Sequence, residues 1–277
     1  VFSFFASGEH VLYLNSQEFF KQNIENKEVS RKFMQEYGIF GDLDYPAISV
    51  NSFPEFAAFD KKSDVAYFIY VNNNRISTIG YNTTADSMYS LPIPLDSANF
   101  FNLRFEVKFK GLTLGGGDDP QLSVVGNKLI VSYPTFSDIL VYDLHSLTYL
   151  VFPSASDLYP SSKKRPQNYS SEVDSGELLD EMFNFWNNQI RYGPIVYLKD
   201  NDKYVRIIRG EKQEHRSAFL ELFDSNFKKL SEWDLTQIEP DISSSYLNTK
   251  YGLMFRAKDQ PDEDVMYYYN VNLADSK

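Results

Sequence analysis

Short apolar segments of four to eight residues recur along the chain, and polar turns separate them. The pattern is clearest in residues 56–93 and residues 122–152, which each contain four such segments. The intervening turns are rich in Asn, Asp, Ser, Thr and Gly. Segments of this length with turns of this composition are typical of β-hairpins. Each of the two stretches therefore predicts a unit of four antiparallel strands.

Two further copies of the unit are predicted in the second half of the chain. The third copy has three clear strands, and the fourth has two on either side of an acidic turn. Their predicted strands are residues 204–208, 218–224 and 229–235, followed by residues 253–257 and 265–270.

The start of the chain supports two interpretations. Residues 11–14, 19–24 and 29–35 predict a further copy of the strand unit. The apolar residues Val29, Phe33 and Tyr37 are four apart, so a helix over residues 25–37 fits equally well. The first unit shows no convincing first strand and the last no final strand. Ring closure by strands from both chain ends, or sequence upstream of Val1, would explain both gaps.

The spacing of the units predicts the fold class. The second strands of successive units begin near residues 11, 65, 129, 204 and 253. Four-stranded units at such intervals are typical of propeller blades. Phe, Tyr and Trp make up 16% of the chain, and aromatic residues favour strands. The sequence therefore predicts an all-β chain that forms one β-propeller domain over residues 1–277, with five to seven blades compatible with the repeat.

Two long insertions interrupt the repeat, at residues 99–119 and 155–188. Loops of this length in a compact domain are usually functional or disordered. The second insertion ends in a predicted helix near residues 175–188, for which Asp174 and Glu177 form a candidate capping box. The apolar face of this helix consists of Leu178, Leu179, Met182, Phe183 and Trp186.

Several stretches of the second half resemble a known family. They are Phe-Trp-Asn-Asn-Gln-Ile-Arg-Tyr at 185–192, Tyr-Val-Arg-Ile-Ile at 204–208, Phe-Asp-Ser-Asn-Phe-Lys-Lys-Leu-Ser-Glu at 223–232, Gly-Leu-Met-Phe at 252–255 and Glu-Asp-Val-Met-Tyr-Tyr-Tyr at 263–269. Together with residues 129–143, they resemble the TolB-like six-bladed β-propeller lipoproteins of Bacteroides-type bacteria, in a group that is a domain of unknown function. The resemblance covers residues 120–273 well and the first 120 poorly.

The resemblance implies a six-bladed, exported protein, periplasmic or anchored to the outer membrane. Members are commonly anchored by a lipidated cysteine near the mature N-terminus. This chain contains no cysteine and begins at Val1, so any such anchor would lie upstream. The family assigns no reaction and no catalytic residues.

Composition narrows the function classes further. The net charge is −11, which disfavours nucleic acid as a partner because phosphate contacts supply most non-specific affinity. The lack of cysteine excludes disulfides, thiol catalysis and thiolate-bound zinc. No apolar run approaches the ~18 residues of a membrane-spanning helix. We therefore expect contact with a membrane only through an upstream lipid anchor.

No catalytic or cofactor motif stands out. The chain contains no nucleophile elbow, P-loop or dinucleotide fingerprint, so no cofactor is expected. The three histidines, His10, His145 and His215, are far apart in the chain. The acidic turn at 259–264 has oxygen ligands suited to calcium but lacks an EF-hand's glycine and distal glutamate. We therefore predict no metal site, and a solvated hairpin tip at this turn.

The best candidate ligand contacts surround the second insertion. They are Tyr159, Trp186, Arg191 and Tyr192. Tyr and Trp offer flat faces to sugar rings or partner side chains, and Arg recognises carboxylates through paired donors. The alternative interpretation of Trp186 is a buried anchor that holds the helix against the sheets.

These observations favour an exported, non-enzymatic binding module whose ligand is a glycan, a peptide or another envelope protein. The alternative is a propeller-type glycan hydrolase or lyase. It requires two converging carboxylates, one with a raised pKa. A third interpretation, a purely structural lipoprotein, requires a sizeable exposed apolar patch.

Overall fold

The computed structural model describes most of the chain. The described residues are 3–7, 10–14, 18–33, 57–72, 75–93, 103, 105–115, 118–212, 216–250, 252–262 and 264–273. Contacts divide the chain into two compact units. The first comprises Val1–Arg104, Gly117–Tyr133 and Ile139–Val151, and the second comprises Phe105–Gly116, Pro134–Asp138 and Phe152–Lys277.

The first unit is built from antiparallel sheets whose strands follow one another in chain order. One sheet has the order β1-β2-β3-β4, and another has the order β5-β6-β7-β8. Their strands are β1 (Ser3–Ser7), β2 (His10–Leu14), β3 (Glu18–Asn23), β4 (Val29–Phe33), β5 (Ala57–Asp60), β6 (Val65–Asn72), β7 (Arg75–Asn82) and β8 (Ser87–Leu91).

A third sheet of this kind contains β11 (Gln121–Val125), β12 (Lys128–Tyr133), β13 (Phe136–Asp143) and β14 (Thr148–Phe152). Most of its residues belong to the first unit. Its order is again β11-β12-β13-β14. The turn between β11 and β12 contains Gly126, which has a φ of +60°, a value that glycine adopts without strain.

The insertions contribute secondary structure to the second unit. Residues 99–119 contain β9 (Glu106–Phe109) and β10 (Leu112–Gly115), which form a hairpin. The short strand β15 (Glu172–Val173) of the second insertion pairs parallel to β9. The two insertions therefore join in one three-stranded sheet.

The second unit also contains two antiparallel meander sheets. The first has the order β16-β17-β18-β19 and the second the order β20-β21-β22. A 3-10 turn, Lys199–Asn201, connects β16 to β17, and the four-residue helix α2 (Leu235–Ile238) follows β19. The strands are β16 (Arg191–Leu198), β17 (Lys203–Lys212), β18 (Arg216–Phe223), β19 (Lys229–Asp234), β20 (Ile242–Thr249), β21 (Gly252–Ala257) and β22 (Tyr268–Val271).

The helix predicted in the second insertion is α1 (Gly176–Asn188). Its N-cap is Ser175, whose Oγ accepts a hydrogen bond from the backbone N–H of Leu178. The predicted capping box at Asp174 was therefore wrong by one residue. The predicted apolar face is confirmed. Leu179, Met182 and Trp186 are buried in one cluster, and Leu178 and Phe183 are partly buried against it.

Alternation of side chains gives the β16–β19 sheet two buried faces. Val205, Ile207, Ala218 and Leu220 lie on one face, in a cluster that includes Phe255 of β21. Arg206, Ile208 and Glu221 occupy the intervening positions and therefore lie on the opposite face. Because successive strand residues point to opposite faces, neighbouring side chains of β17 pack into different clusters.

The all-β propeller prediction is confirmed at the level of the sheets. Within the described residues the strands form six sheets, and four of them are four-stranded antiparallel meanders, as in propeller blades. The number of blades and the single domain over residues 1–277 stay predictions.

Two expectations for the chain ends need correction. Val29–Phe33 is a strand, so the helix alternative for residues 25–37 was wrong there, while residues 34–37 lie outside the described part. Ser3–Ser7 supplies the first strand of the first sheet, so that sheet needs no strand from the other chain end. Among the described residues, no helix is long and apolar enough to cross a membrane.

Candidate functional site

Trp186 is fully buried near the end of α1. Its ring stacks on that of Phe105, with 5.2 Å between the ring centroids, and Met182 belongs to the same cluster. The Nζ of Lys163 lies 4.4 Å from the centre of the indole ring. Trp186 therefore anchors α1 within the second unit and presents no free face to a ligand, as its alternative interpretation expected.

Tyr159 and Tyr192 lie together in the interior of the second unit. Their ring centroids are 6.2 Å apart in an edge-on arrangement, and Phe219 packs on Tyr159 at 4.8 Å. The phenol of Tyr192 donates a hydrogen bond to the carbonyl of Pro160. Both rings are buried. Neither ring therefore has an exposed face on which a ligand could stack.

A buried ion pair lies against Tyr192. Arg206 of β17 and Glu221 of β18 are cross-strand partners, and neither side chain is exposed. The Nε of Arg206 lies 2.7 Å from the Oε2 of Glu221. Its Nη1 donates to the carbonyl of Ser137 over 2.7 Å. The guanidinium carbon lies 4.7 Å from the centre of the Tyr192 ring. Protein groups therefore contact the cation at Nε, at Nη1 and over one face.

The other carboxylate oxygen of Glu221 is also occupied. The hydroxyl of Ser154 donates to Oε1 over 2.8 Å, and the Nζ of Lys229 lies 3.1 Å from the same atom. Burial raises the pKa of Glu221, but Arg206 and Lys229 outweigh burial and hold this pKa below its ordinary value. Glu221 is therefore an ionised carboxylate that is held by structural contacts.

Asp138 is a second carboxylate close to Arg206. Burial raises the pKa of Asp138, and the charge of Arg206 partly opposes the rise. Two carboxylates with pKa values pushed apart are what the hydrolase alternative requires. Glu221, however, has no exposed surface and no free oxygen, so it cannot contact a substrate. This pair therefore does not supply the acid and the base of a glycosidase.

A concave surface feature of the second unit suits a small ligand. It is a pocket of about 360 Å³, which we name the turn pocket. The 3-10 turn Lys199–Asn201, the turn between β20 and β21, and the end of β22 surround it. The turn pocket is lined by residues 197–201, 248–250, 252–253 and 271–273.

Local hydrogen bonds hold the walls of the turn pocket. The Nδ2 of Asn201 donates to the carbonyl of Leu273 over 3.3 Å, which ties the 3-10 turn to the chain after β22. The hydroxyl of Thr249 donates to the carbonyl of Gly252 over 3.0 Å. Gly252 has a φ of +107°, which other residues rarely adopt. The lining of the turn pocket includes the amides of Asn248 and Asn272. Beside them lie apolar residues such as Leu253, which is buried.

Arg191 is the fourth predicted contact, and it lies apart from the turn pocket's lining. It begins β16, and its cross-strand partner is Arg209 of β17. Arg216 of β18 is two residues from Ala218, the cross-strand partner of Arg209. Burial and the charge of Arg216 both lower the pKa of Arg209. Sequence reasoning missed Arg209 and Arg216 because they follow no motif. The signal that identifies them is the cross-strand register.

No metal centre emerges from the part of the chain that the structure describes. There, no three side chains of His, Asp or Glu gather as a metal ion would require. At the acidic turn, the carboxylate of Asp262 accepts the backbone N–H of Asp264 over 2.9 Å, and both residues are exposed. His145 lies in the turn after β13, and His215 lies outside the described residues.

The chain matches the model of one known protein family. Residues 92–234, just over half of the chain, match the model of a family described as "Domain of unknown function (DUF4221)". The chain belongs to this family. The DUF4221 match includes both insertions and all strands from β9 to β19, and therefore the Arg206–Glu221 ion pair and Arg191. The family description itself assigns no activity.

A solved structure from the same family has a similar fold. A DUF4221 family member from Bacteroides vulgatus has a TM-score of 0.59 and 13% sequence identity to this chain. The alignment covers 95% of this chain and 76% of that protein. At this identity the likeness shows the fold alone.

Other similarities are weaker and carry no argument about function. The β-propeller domain of the Trilobed protease from Pyrococcus furiosus has a TM-score of 0.43 and 9% identity, over 96% of this chain and 65% of that one. TolB from Acinetobacter baumannii has a TM-score of 0.41 and 10% identity, over 91% of this chain and 49% of that one. No curated protein matches the sequence.

Proposed function

We propose that this DUF4221 protein is an exported, non-enzymatic binding module that holds a sugar unit of a glycan in the turn pocket. One observation carries the proposal: the turn pocket is a concave site of about 360 Å³ with polar and apolar groups in its lining. Ligand sites are typically concave, with volumes of roughly 300–1,000 Å³ and a few polar groups that fix orientation.

The chemistry of the lining favours a neutral polar ligand. Asn248 and Asn272 each carry an amide that both donates and accepts hydrogen bonds, as sugar hydroxyls require. Val271 and Leu273, which are partly exposed, offer apolar surface to the carbon face of a ring. Lys199 and Asp200 bring charges of both signs to the lining. A sugar unit therefore fits this set of groups better than a strongly charged or a wholly apolar ligand.

Export is part of the proposal. Its support is the resemblance of residues 120–273 to envelope lipoproteins, and the absence of cysteine is compatible with an oxidising compartment. Cell fractionation of a strain that expresses the full-length gene tests it. We expect the protein in the periplasmic or outer-membrane fraction, through an upstream lipid anchor in the second case. Recovery in the cytoplasmic fraction alone would contradict export.

The binding proposal is tested by calorimetric titration with a panel of neutral oligosaccharides. We expect one glycan class to bind and Asn248→Ala to weaken that binding about 3- to 10-fold, as loss of one hydrogen bond predicts. Asn226→Ala is the matched control, because Asn226 is exposed in the turn before β19 and does not line the turn pocket. Equal effects of the two substitutions, or release of shorter sugars during the titration, would overturn the proposal. If peptides or envelope proteins bind and glycans do not, the ligand would be a peptide or a protein and not a glycan.

A further inference from the structure

Three arginines gather at one end of the β16–β19 sheet, on one of its faces. Arg191 and Arg209 are cross-strand partners, and Arg209 is also the partner of Ala218. Arg216 precedes Ala218 by two residues on β18, so it belongs to the same face. We name Arg191, Arg209 and Arg216 the arginine cluster. It is distinct from the turn pocket, which none of the three lines.

Arg216 is anchored at the end of α1. Its Nη2 donates to the backbone carbonyl of Asn187 over 2.9 Å and lies 3.4 Å from the Oδ1 of Asn188. These acceptors are at the C-terminal end of the helix, where the helix dipole favours a cation. The anchor fixes the guanidinium but leaves other donors unused. The Nη1 of Arg216 is buried and has no hydrogen-bond partner in the described structure.

Arg209 has no compensation of this kind. Its Nε is buried without a hydrogen-bond partner among the described residues, and no carboxylate of the described residues pairs with Arg209 or Arg216. Burial, Arg216 and Arg191 together lower the pKa of Arg209 to about 10. Arg206, three residues earlier on the same strand, is buried against Glu221. On β17, Arg206 is therefore neutralised by Glu221, whereas Arg209 lies among other positive charges.

A cluster of this kind lowers the stability of the protein on its own, because it combines desolvated cations with mutual repulsion. The chain is acidic overall, with 38 Asp and Glu residues against 27 Lys and Arg residues. The unpaired donors of Arg209 and Arg216 are therefore not explained by a shortage of carboxylates. Departures from the rule that buried polar groups have partners are expected at functional sites. Guanidinium groups bind oxyanions through paired hydrogen bonds.

We propose that the arginine cluster is a binding site for an oxyanion, in which Arg209 and Arg216, both partly exposed, present their guanidinium groups to the anion and Arg191 contributes charge. The oxyanion is either the carboxylate of an acidic sugar or a phosphate. Both present two oxygens to a guanidinium fork, and the two sources are separated by the probes of the experiment. The site is independent of the turn pocket, so either can fail without the other.

The experiment is calorimetric titration of the purified chain with D-glucuronate and with inorganic phosphate, and with D-glucose as the uncharged control. Ionic strength is held constant, because screening alters exposed charges. We expect wild type to bind one of the two anions. Any binding of glucose would take place in the turn pocket and should therefore be equal in wild type and in Arg209→Gln. Arg209→Gln should weaken anion binding at least about 10-fold, as loss of a charge-assisted hydrogen bond predicts. Arg191→Gln, which removes only a contribution of charge, should weaken anion binding by a smaller factor. Arg256→Gln is the matched control, because Arg256 is an exposed cation of β21 in the same unit.

A second measurement separates a ligand site from a structural role. Without ligand, Arg209→Gln should raise the midpoint of thermal unfolding by about 2–4 °C, since it removes the like-charge repulsion. With anion, the midpoint of wild type should rise and that of Arg209→Gln should not. Binding of glucuronate would identify a carboxylate site, and binding of phosphate a phosphate site. No binding of either anion, or equal weakening by Arg256→Gln, would overturn the proposal, as would a lowered midpoint of unliganded Arg209→Gln.

Discussion

Arg206 and Glu221 form a fully buried ion pair across β17 and β18, with 2.7 Å between Nε and Oε2. Arg206 also donates a hydrogen bond to the carbonyl of Ser137 in β13, and Glu221 accepts one from the hydroxyl of Ser154, which directly precedes the second insertion. The pair therefore joins three parts of the second unit and fixes the point at which the second insertion begins.

The first prediction concerns the loss of this pair. Glu221→Gln should lower the free energy of unfolding by about 3–5 kcal/mol, because it leaves the Arg206 cation buried without its counter-charge. Urea unfolding measures the change. Glu232→Gln is the control, since Glu232 also pairs with Lys229 but is partly exposed, and it should cost less than about 1 kcal/mol. Similar costs for both variants would contradict a structural role of the buried pair.

The second prediction concerns the pH dependence of stability. The folded pKa of Glu221 lies below its ordinary value of 4.5, so its ionised form stabilises the fold above pH 4.5. This contribution is lost as the pH falls from 4.5 through the lower folded pKa. The difference in unfolding free energy between wild type and Glu221→Gln should therefore shrink on acidification in that window. A difference that stays constant or grows below pH 4.5 would contradict the lowered pKa.

The third prediction concerns Trp186. The chain has two tryptophans, so Trp233→Phe leaves Trp186 as the sole indole emitter. Because Trp186 is stacked on Phe105 and fully buried, its emission should be blue-shifted and acrylamide should quench it weakly. Ligands of the turn pocket should leave the emission unchanged. Strong quenching, or a spectral shift on addition of a glycan, would instead support direct stacking of a ligand on Trp186.

The fourth prediction compares two glycines. A Cβ at Gly193 would lie 2.6 Å from the backbone oxygen of Ile207, and the backbone cannot yield easily, so Gly193→Ala should cost about 1–3 kcal/mol. Gly176, at the start of α1, has no atom within 4 Å of such a Cβ. Gly176→Ala should therefore stabilise the protein by up to about 1 kcal/mol. Thermal unfolding of the two variants checks the contrast, and a tolerated alanine at Gly193 would contradict the close approach of β16 and β17.

The sequence predicted the elements well where local signals are strong. The strands within residues 56–93 and 122–152 follow from alternating apolar residues and turn chemistry, which act over a few neighbouring positions. The α1 helix follows from the spacing of its apolar residues. Its cap was misplaced because Asp174 and Ser175 are both good capping residues, and the choice between them depends on the backbone geometry at the helix start.

The candidate site was harder to predict because its contacts are distant in sequence. Tyr159 and Tyr192 were predicted as ligand contacts, but the second insertion folds back onto β16–β18 and buries both rings. Arg209 and Arg216 were missed for the same reason. Their proximity depends on strand register and on the position of α1, which composition and spacing do not specify. Arg191 was identified by residue type alone, without knowledge of its partners.

We propose above all that this family member binds a glycan in the turn pocket without turning it over. The most direct measurement is an NMR titration that follows backbone amide shifts and the sugar's own signals together. We expect shifts concentrated in residues 199–201, 248–250 and 271–273, with sugar signals that stay those of the intact glycan. Shifts concentrated elsewhere in the assigned chain, or new signals of shorter sugars, would contradict it.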